Sequence, residues 1–157
     1  MQFRDYQLRI IEQGCDVINI RKFLYLAMEV RTGKTLTSLG IAEKLVRVNN
    51  VLFITKKKAI SSIESDYNML DPNYDLTVIN YESLHKIPEN GWDMIICDEA
   101  HTLGAFPKPS KRAKQVKGLV IKNNCFVVLL SGTPTPESYS QMYHQVYGIP
   151  GNPFSEF

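Results

Sequence analysis

Phe23-Leu24-Tyr25-Leu26-Ala27-Met28-Glu29-Val30-Arg31-Thr32-Gly33-Lys34-Thr35 is the stretch that decides the fold. An apolar run that reads as a buried strand gives way to Gly33-Lys34-Thr35. A helical pattern then begins at the lysine-threonine pair, with Leu36, Leu39, Ala42 and Val46 on one face. Strand, short loop and helix in that order are the context a phosphate-binding loop requires. Backbone N–H groups and the helix N-terminus attract anionic oxygens, Lys34 reaches the terminal phosphates, and Thr35 offers its hydroxyl to Mg²⁺. The loop departs from the usual GxxxxGK[ST] spacing at its first position, where Met28 stands in place of glycine. Arg31 also takes a position often held by a small residue.

Two later segments repeat the pattern of chemistry placed directly after an apolar run. Asp98-Glu99-Ala100-His101 ends the run Met94–Asp98, and Ser131-Gly132-Thr133-Pro134 ends the run Cys125–Ser131. An aspartate at a strand end aims its carboxylate out of the C-terminal edge of the sheet, where ligands collect in open α/β folds. There it can hold Mg²⁺ through water, and the neighbouring Glu99 can orient and deprotonate an attacking water. His101 is either a structural histidine or a polar relay toward Ser131 and Thr133, whose tight turn Gly132 permits. Each segment alone has a plain explanation, a solvated acidic loop or a strand exit. A phosphate loop with a downstream strand-Asp-Glu is a far rarer coincidence.

The remaining apolar runs, Val51–Thr55 and Leu76–Asn80, bring the expected strands to five with Phe23–Met28, Met94–Asp98 and Cys125–Ser131. They are nearly continuous rather than alternating, which suits parallel strands covered on both faces. Leu8, Ile11, Cys15 and Ile18 predict one face of a first helix. Ser61-Ser62-Ile63-Glu64 predicts a capping box opening a third, and Thr135-Pro136 predicts a last helix running to about Val146. The polar stretch Thr102–Lys117, with Pro107 and Pro109, reads as a loop, and the Gly/Pro-rich tail after Tyr147 as an exposed exit. Strands alternating with helices argue for a three-layer α/β domain around a mainly parallel sheet.

Bulk properties agree. The 157 residues are enough for one domain with a real core, and 44% hydrophobic with 22% charged residues excludes disordered and fibrous classes. A net charge of +2 neither demands nor excludes a nucleic-acid partner. Apolar stretches such as Cys125–Leu130 fall far short of a membrane span, and Arg4 and Asp5 interrupt any signal-peptide core. Three cysteines without a CxxC pairing fit reduced core thiols, so a cytoplasmic location is expected, with no membrane partner.

These motifs together resemble the first RecA-like domain of superfamily-two helicases and translocases, most closely the SWI/SNF-like branch, including phage-encoded members. The resemblance covers nearly the whole chain. Phe3-Arg4-Asp5-Tyr6-Gln7 is similar to the adenine-reading segment, which implies base contact by Gln7. Met28–Thr35 is similar to motif I, implying ATP contact by Arg31, Thr32, Gly33, Lys34 and Thr35. Asp98–His101 resembles motif II, and Ser131–Pro134 resembles motif III in its SGTP form. Ile54-Thr55-Lys56 and Val78–Leu84 resemble motifs Ia and Ib, which implies nucleic-acid contact by Thr55, Lys56, Lys57, Asn80 and Tyr81. The implied cofactors are ATP with Mg²⁺ held at Thr35 and Asp98. Lys34, Asp98 and Glu99 are the implied catalytic set, with His101, Ser131 and Thr133 coupling the site to the rest of the motor. The SGTP form and Tyr81-Glu82 pull the implied partner toward double-stranded DNA.

The family hydrolyses ATP between two RecA-like domains, the second supplying an arginine finger; these 157 residues contain no candidate second domain. An incomplete, weakly active half is therefore expected. Lys56-Lys57-Lys58 and the group Lys108, Lys111, Arg112, Lys114 and Lys117 are either solvated surface or phosphate-neutralising patches. Aromatics are not interleaved with them, so backbone contact is expected rather than base readout. Two other functions fit parts of the sequence. A small P-loop kinase would need an arginine-bearing lid, for which no segment stands out. A nucleic-acid-binding or regulatory module with a degenerate ATP site would account for Met28.

Overall fold

A computed structural model describes residues 3–27, 33–99 and 111–131. In chain order the elements are α1 (Asp5–Arg21), β1 (Phe23–Ala27), α2 (Lys34–Lys44), β2 (Asn50–Thr55), a 3-10 turn (Lys57–Ala59), α3 (Ile60–Leu70), β3 (Asp75–Asn80), a second 3-10 turn (Tyr81–Lys86), β4 (Met94–Cys97), α4 (Lys111–Asn123) and β5 (Phe126–Ser131). The five strands form one sheet in the order β1-β5-β4-β2-β3, with every pairing parallel.

Strand side chains alternate between two faces, and both faces are covered, which is why the runs read as continuously apolar. Val51, Phe53, Met94, Ile96, Val128 and Leu130 face one core, shared with Ile11 and Ile18 of α1, Leu39 and Ile41 of α2, and Ile63 of α3. Leu52, Ile54, Ile95, Cys97, Val127 and Leu129 face the other, closed by Val116 and Val120 of α4 with Tyr81, Leu84 and Trp92. The result is the expected three-layer α/β architecture. Burying a side chain such as Phe53 or Ile96 completely contributes roughly 1.5–3 kcal/mol, so the two cores dominate stability.

The helices differ from their predicted outlines in instructive ways. In α1 the buried stripe is Gln7, Ile11, Gly14 and Ile18, while Leu8 is 43% exposed and Cys15 half-buried. The stripe is rotated because α1 lies close against α2 at two glycines. A Cβ on Gly14 would stand 2.8 Å from Cδ1 of Ile41, and one on Gly40 would stand 2.7 Å from Cδ1 of Ile11. Helix α2 stops at Lys44, so Val46 projects into solvent and Leu45 and Val48 fold back into the core instead. Helix α3 begins at Ile60 straight from a 3-10 turn, without a side-chain cap, which puts Ser61 and Ser62 inside it rather than at a capping box.

The largest correction is α4. Residues 111–117, expected as loop, are helical, because Val116, Leu119 and Val120 form an apolar stripe against the sheet that the lysines disguise. The part of that expected loop at 102–110, the expected last helix from Thr135 and the tail lie outside the described residues.

At the N-terminal end of the sheet, Asp93 Oδ2 accepts the backbone N–H of both Asn49 and Asn50 at 3.0 Å, and Trp92 Nε1 donates to the carbonyl of Pro88 at 2.8 Å. All three cysteines are free: Cys97 and Cys125 are buried, and Cys15 places Sγ 3.7 Å from the carbonyl of Ile41. Burial pushes all three thiols above their ordinary range, Cys125 up to about 12. Among the described residues no helix is long and apolar enough to cross a membrane.

Candidate nucleotide site

Because all strands run the same way, their C-terminal ends share one edge, and the residues that follow them meet there. β4 and β5 pair Cys97 with Leu129, while β2 and β4 pair Ile54 with Cys97, so Thr55 and Asp98 emerge side by side. From the first helical turn after β1, Lys34 places Nζ 3.9 Å from Asp98 Oδ1, both side chains being largely buried at 22% and 9% exposed. Two residues 64 positions apart in sequence thus face each other across the sheet edge. The distance is an ion-pair contact, longer than the 2.7–2.9 Å of a tight charge-assisted hydrogen bond.

The phosphate-loop geometry is set by Gly33. Its φ of +76° is left-handed, a conformation that favours glycine, and a Cβ there would stand 2.2 Å from Gln7 Nε2 and displace that amide. The carbonyl of Gly33 accepts from the N–H and the hydroxyl of Thr37, each at 2.9 Å, fastening the loop to α2. Gln7, expected to contact a base, is 6% exposed and abuts the loop. Its Oε1 accepts the N–H of Arg4 at 2.9 Å, capping α1, and its Nε2 lies 3.5 Å from the Gly33 carbonyl. Thr35 sits half-buried in the first turn of α2. Arg31, Thr32, His101 and Thr133 lie outside the described residues, whereas Ser131 ends β5 fully buried, paired in register with Ala27.

Asp98 is held on every side. Its N–H donates to the carbonyl of Ile54 at 2.8 Å, Thr55 Oγ1 donates to Oδ2 at 2.9 Å, and the N–H of Glu99 donates to Oδ1 at 2.9 Å. Its carbonyl accepts the hydroxyl of Tyr81 at 2.7 Å. The peptide between Asp98 and Glu99 is therefore pinned at both its oxygen and its nitrogen. It holds Glu99 at φ +52°, a left-handed conformation that costs a non-glycine residue roughly 1–2 kcal/mol. Glu99 Oε1 in turn pairs with Lys56 Nζ at 3.1 Å.

This geometry gives two of the expected site residues another task. Thr55 and Tyr81 were expected to touch nucleic acid, but their side chains are buried, at 0% and 3% exposed, and their hydroxyls are committed to Asp98. Both hydroxyls brace the acid. Burial holds the Tyr81 hydroxyl well above its ordinary range, so it stays a donor. Lys56 and Lys57 are exposed at the same edge, and the amide of Asn80 donates to Glu82 Oε2 at 3.0 Å.

Arg112 of α4 was absent from the expected site. Its guanidinium lies 4.8 Å over the ring of Tyr81 and pairs with Glu82 Oε1 at 2.7 Å. A backbone hydrogen bond, then Asn80 and Arg112, hold the Glu82 carboxyl below its ordinary range. In the sequence Arg112 stood out only as one of a basic group, because the helix that carries it was itself hidden. Two clefts of about 400 and 370 Å³ lie beside it, between α4 and the second 3-10 turn, and neither includes Lys34 or Asp98.

The donor set fits a hard cation. Thr35 and Asp98 offer oxygen only, as Mg²⁺ prefers, and the ammonium of Lys34 beside Asp98 Oδ1 marks a position where positive charge is favourable. Among the described residues no cluster of three or more metal-binding side chains exists. That suits an ion held by one or two protein oxygens with phosphate and water completing its shell.

Fold and site together define a RecA-like α/β domain in which Lys34 is set against the strand-end Asp98. Residues 48–156 match the SNF2-related domain, and the chain belongs to that family. Residues 1–63 also match the family described as type III restriction enzyme, res subunit. No curated protein matches the chain. Among solved structures it is similar to the Sulfolobus solfataricus SWI2/SNF2 ATPase core in complex with dsDNA, at TM-score 0.77 and 21% identity, covering 100% of this chain and 38% of that one. The Pyrococcus furiosus Hef helicase domain follows at TM-score 0.71 and 17% identity, covering 95% and 37%. A nuclease-deletion mutant of the Type ISP restriction-modification enzyme LlaGI, bound to a DNA substrate mimic, matches at TM-score 0.57 and 16% identity, covering 85% and 18%. The chain thus spans under two fifths of each of these structures.

Proposed function

We propose that this chain is the ATP-binding first half of an ATP-dependent translocase or helicase acting on duplex DNA, working with a second RecA-like domain. The observation that carries the reading is the approach of Lys34 to Asp98 at the edge where Gly33, Thr35 and Glu99 also converge. Family membership and the fold shared with DNA-bound ATPase cores support it.

In this reading Gly33 and the start of α2 present N–H groups to the phosphates, Lys34 neutralises the terminal ones, and Gln7 sits against the loop to contact the base. Thr35 and Asp98 would hold Mg²⁺, which when bound neutralises charge developing on the phosphoryl oxygens. Glu99 orients the attacking water and accepts its proton, while Asp98 is kept in place by Thr55 and Tyr81. His101, Ser131 and Thr133 would couple this site to the partner domain. Lys56, Lys57 and Asn80 would face the DNA backbone. The arginine finger comes from the second domain, and its absence lowers turnover by ~10³–10⁵, so the chain alone binds nucleotide but scarcely hydrolyses it.

Isothermal calorimetry with Mg-ATP tests the reading. Lys34→Ala should abolish measurable binding while circular dichroism stays unchanged; equal affinity in the two proteins would refute the phosphate-loop assignment.

A further inference from the structure

The acid assigned to water activation and a lysine assigned to the DNA backbone are bonded to each other. Lys56 Nζ lies 3.1 Å from Glu99 Oε1. The peptide that leads into Glu99 is fixed at both ends, since Tyr81 holds the carbonyl of Asp98 and the Asp98 carboxylate holds the N–H of Glu99. Lys56 occupies one oxygen of its carboxylate. Lys56 itself is 59% exposed and is followed by Lys57 and Lys58, also exposed. The same ammonium is therefore open to a polyanion arriving from solvent.

We propose that Lys56 is a two-position cation, paired with Glu99 in the free chain and with a duplex phosphate in the bound one. This rests on the DNA-translocase reading above and supplies its regulation. A phosphate approaching Lys56 also approaches the Glu99 carboxylate, and the repulsion between these anions drives the lysine and the glutamate apart. DNA thereby takes the lysine off the acid beside the nucleotide, and an occupied phosphate track favours water activation. Linkage makes the effect reciprocal: whatever removes the negative charge of Glu99 releases Lys56 and strengthens DNA binding.

The reciprocal arm can be measured without hydrolysis. Fluorescence anisotropy with a labelled mixed-sequence duplex is run on the unaltered chain, Glu99→Gln, Lys56→Ala and the double variant, each checked for fold by circular dichroism. Glu99→Gln should tighten binding by about two- to fivefold, the range an exposed ion pair supports. It should change nothing when Lys56 is already alanine. Lys56→Ala should also flatten the dependence of log affinity on log salt by about 0.9. Equal tightening by Glu99→Gln in both backgrounds would reveal mere long-range repulsion and overturn the switch, as would no tightening in either. Failure of every protein to bind duplex would instead remove the DNA reading and the switch with it.

Discussion

Replacing Tyr81 with phenylalanine isolates the bond that pins the Asp98–Glu99 peptide. The substitution removes one oxygen and leaves the ring, which is 3% exposed and covered by the Arg112 guanidinium at 4.8 Å, so packing and stacking survive. What is lost is the 2.7 Å bond to the carbonyl of Asp98, in a place where water has no ready access. Leaving a buried carbonyl unpartnered costs roughly 1–3 kcal/mol. For a domain of this size each kcal/mol lowers Tm by roughly 2–4 °C. Urea unfolding followed by the fluorescence of Trp92, the chain's one tryptophan, measures the change directly. Trp92 lies at the opposite end of the sheet, so its signal reports global unfolding and not a local adjustment. The midpoint should fall at constant slope. A loss under about 0.5 kcal/mol, the scatter of ordinary surface substitutions, would refute the claim that this hydroxyl holds motif II in place.

Gly33→Ala should weaken Mg-ATP binding about tenfold, because the left-handed φ of +76° costs alanine roughly 1–2 kcal/mol and its methyl displaces the Gln7 amide; unaltered affinity by calorimetry would contradict the geometry. Stability should also decline in alkali. Burial raises Cys97, Cys125 and the hydroxyls of Tyr74 and Tyr81 above their ordinary 9.0 and 10.0, so the unfolded chain releases protons that the native one retains. Their contribution is complete below about pH 9 and is lost as pH rises above it, by up to about 1.4 kcal/mol per pH unit for each group. Urea midpoints that stay level from neutral pH to about pH 11 would show that these groups are not shielded as described.

The sheet was legible in the sequence because each strand is buried on both faces, leaving unbroken apolar runs such as Val51–Thr55 and Cys125–Ser131. The site's main members were legible because each directly follows such a run, so parallel pairing alone carries Lys34 and Asp98 to the same edge. Helix α4 was hidden by composition: five of its thirteen residues are Lys or Arg, and a stripe of three apolar side chains is easily missed among them. Register was hidden too. Nothing local says that Thr55 emerges beside Asp98, or that Tyr81 folds under it, since both depend on pairings between strands distant in sequence. The Lys56–Glu99 contact belongs to the same class, for it needs the neighbouring ends of β2 and β4 before the two side chains can meet.

The unequal shielding of the three cysteines has a practical consequence. Cys97 is sealed inside the sheet, Cys125 borders a small cleft at the N-terminal end of the strands, and Cys15 is half-buried between α1 and α2, so a thiol reagent added to the native protein should meet Cys97 last. Modification of Cys15, whose Sγ lies 3.7 Å from the carbonyl of Ile41, would require α1 and α2 to part. The order in which the three thiols react would thus report how tightly the sheet and the α1–α2 seam are closed.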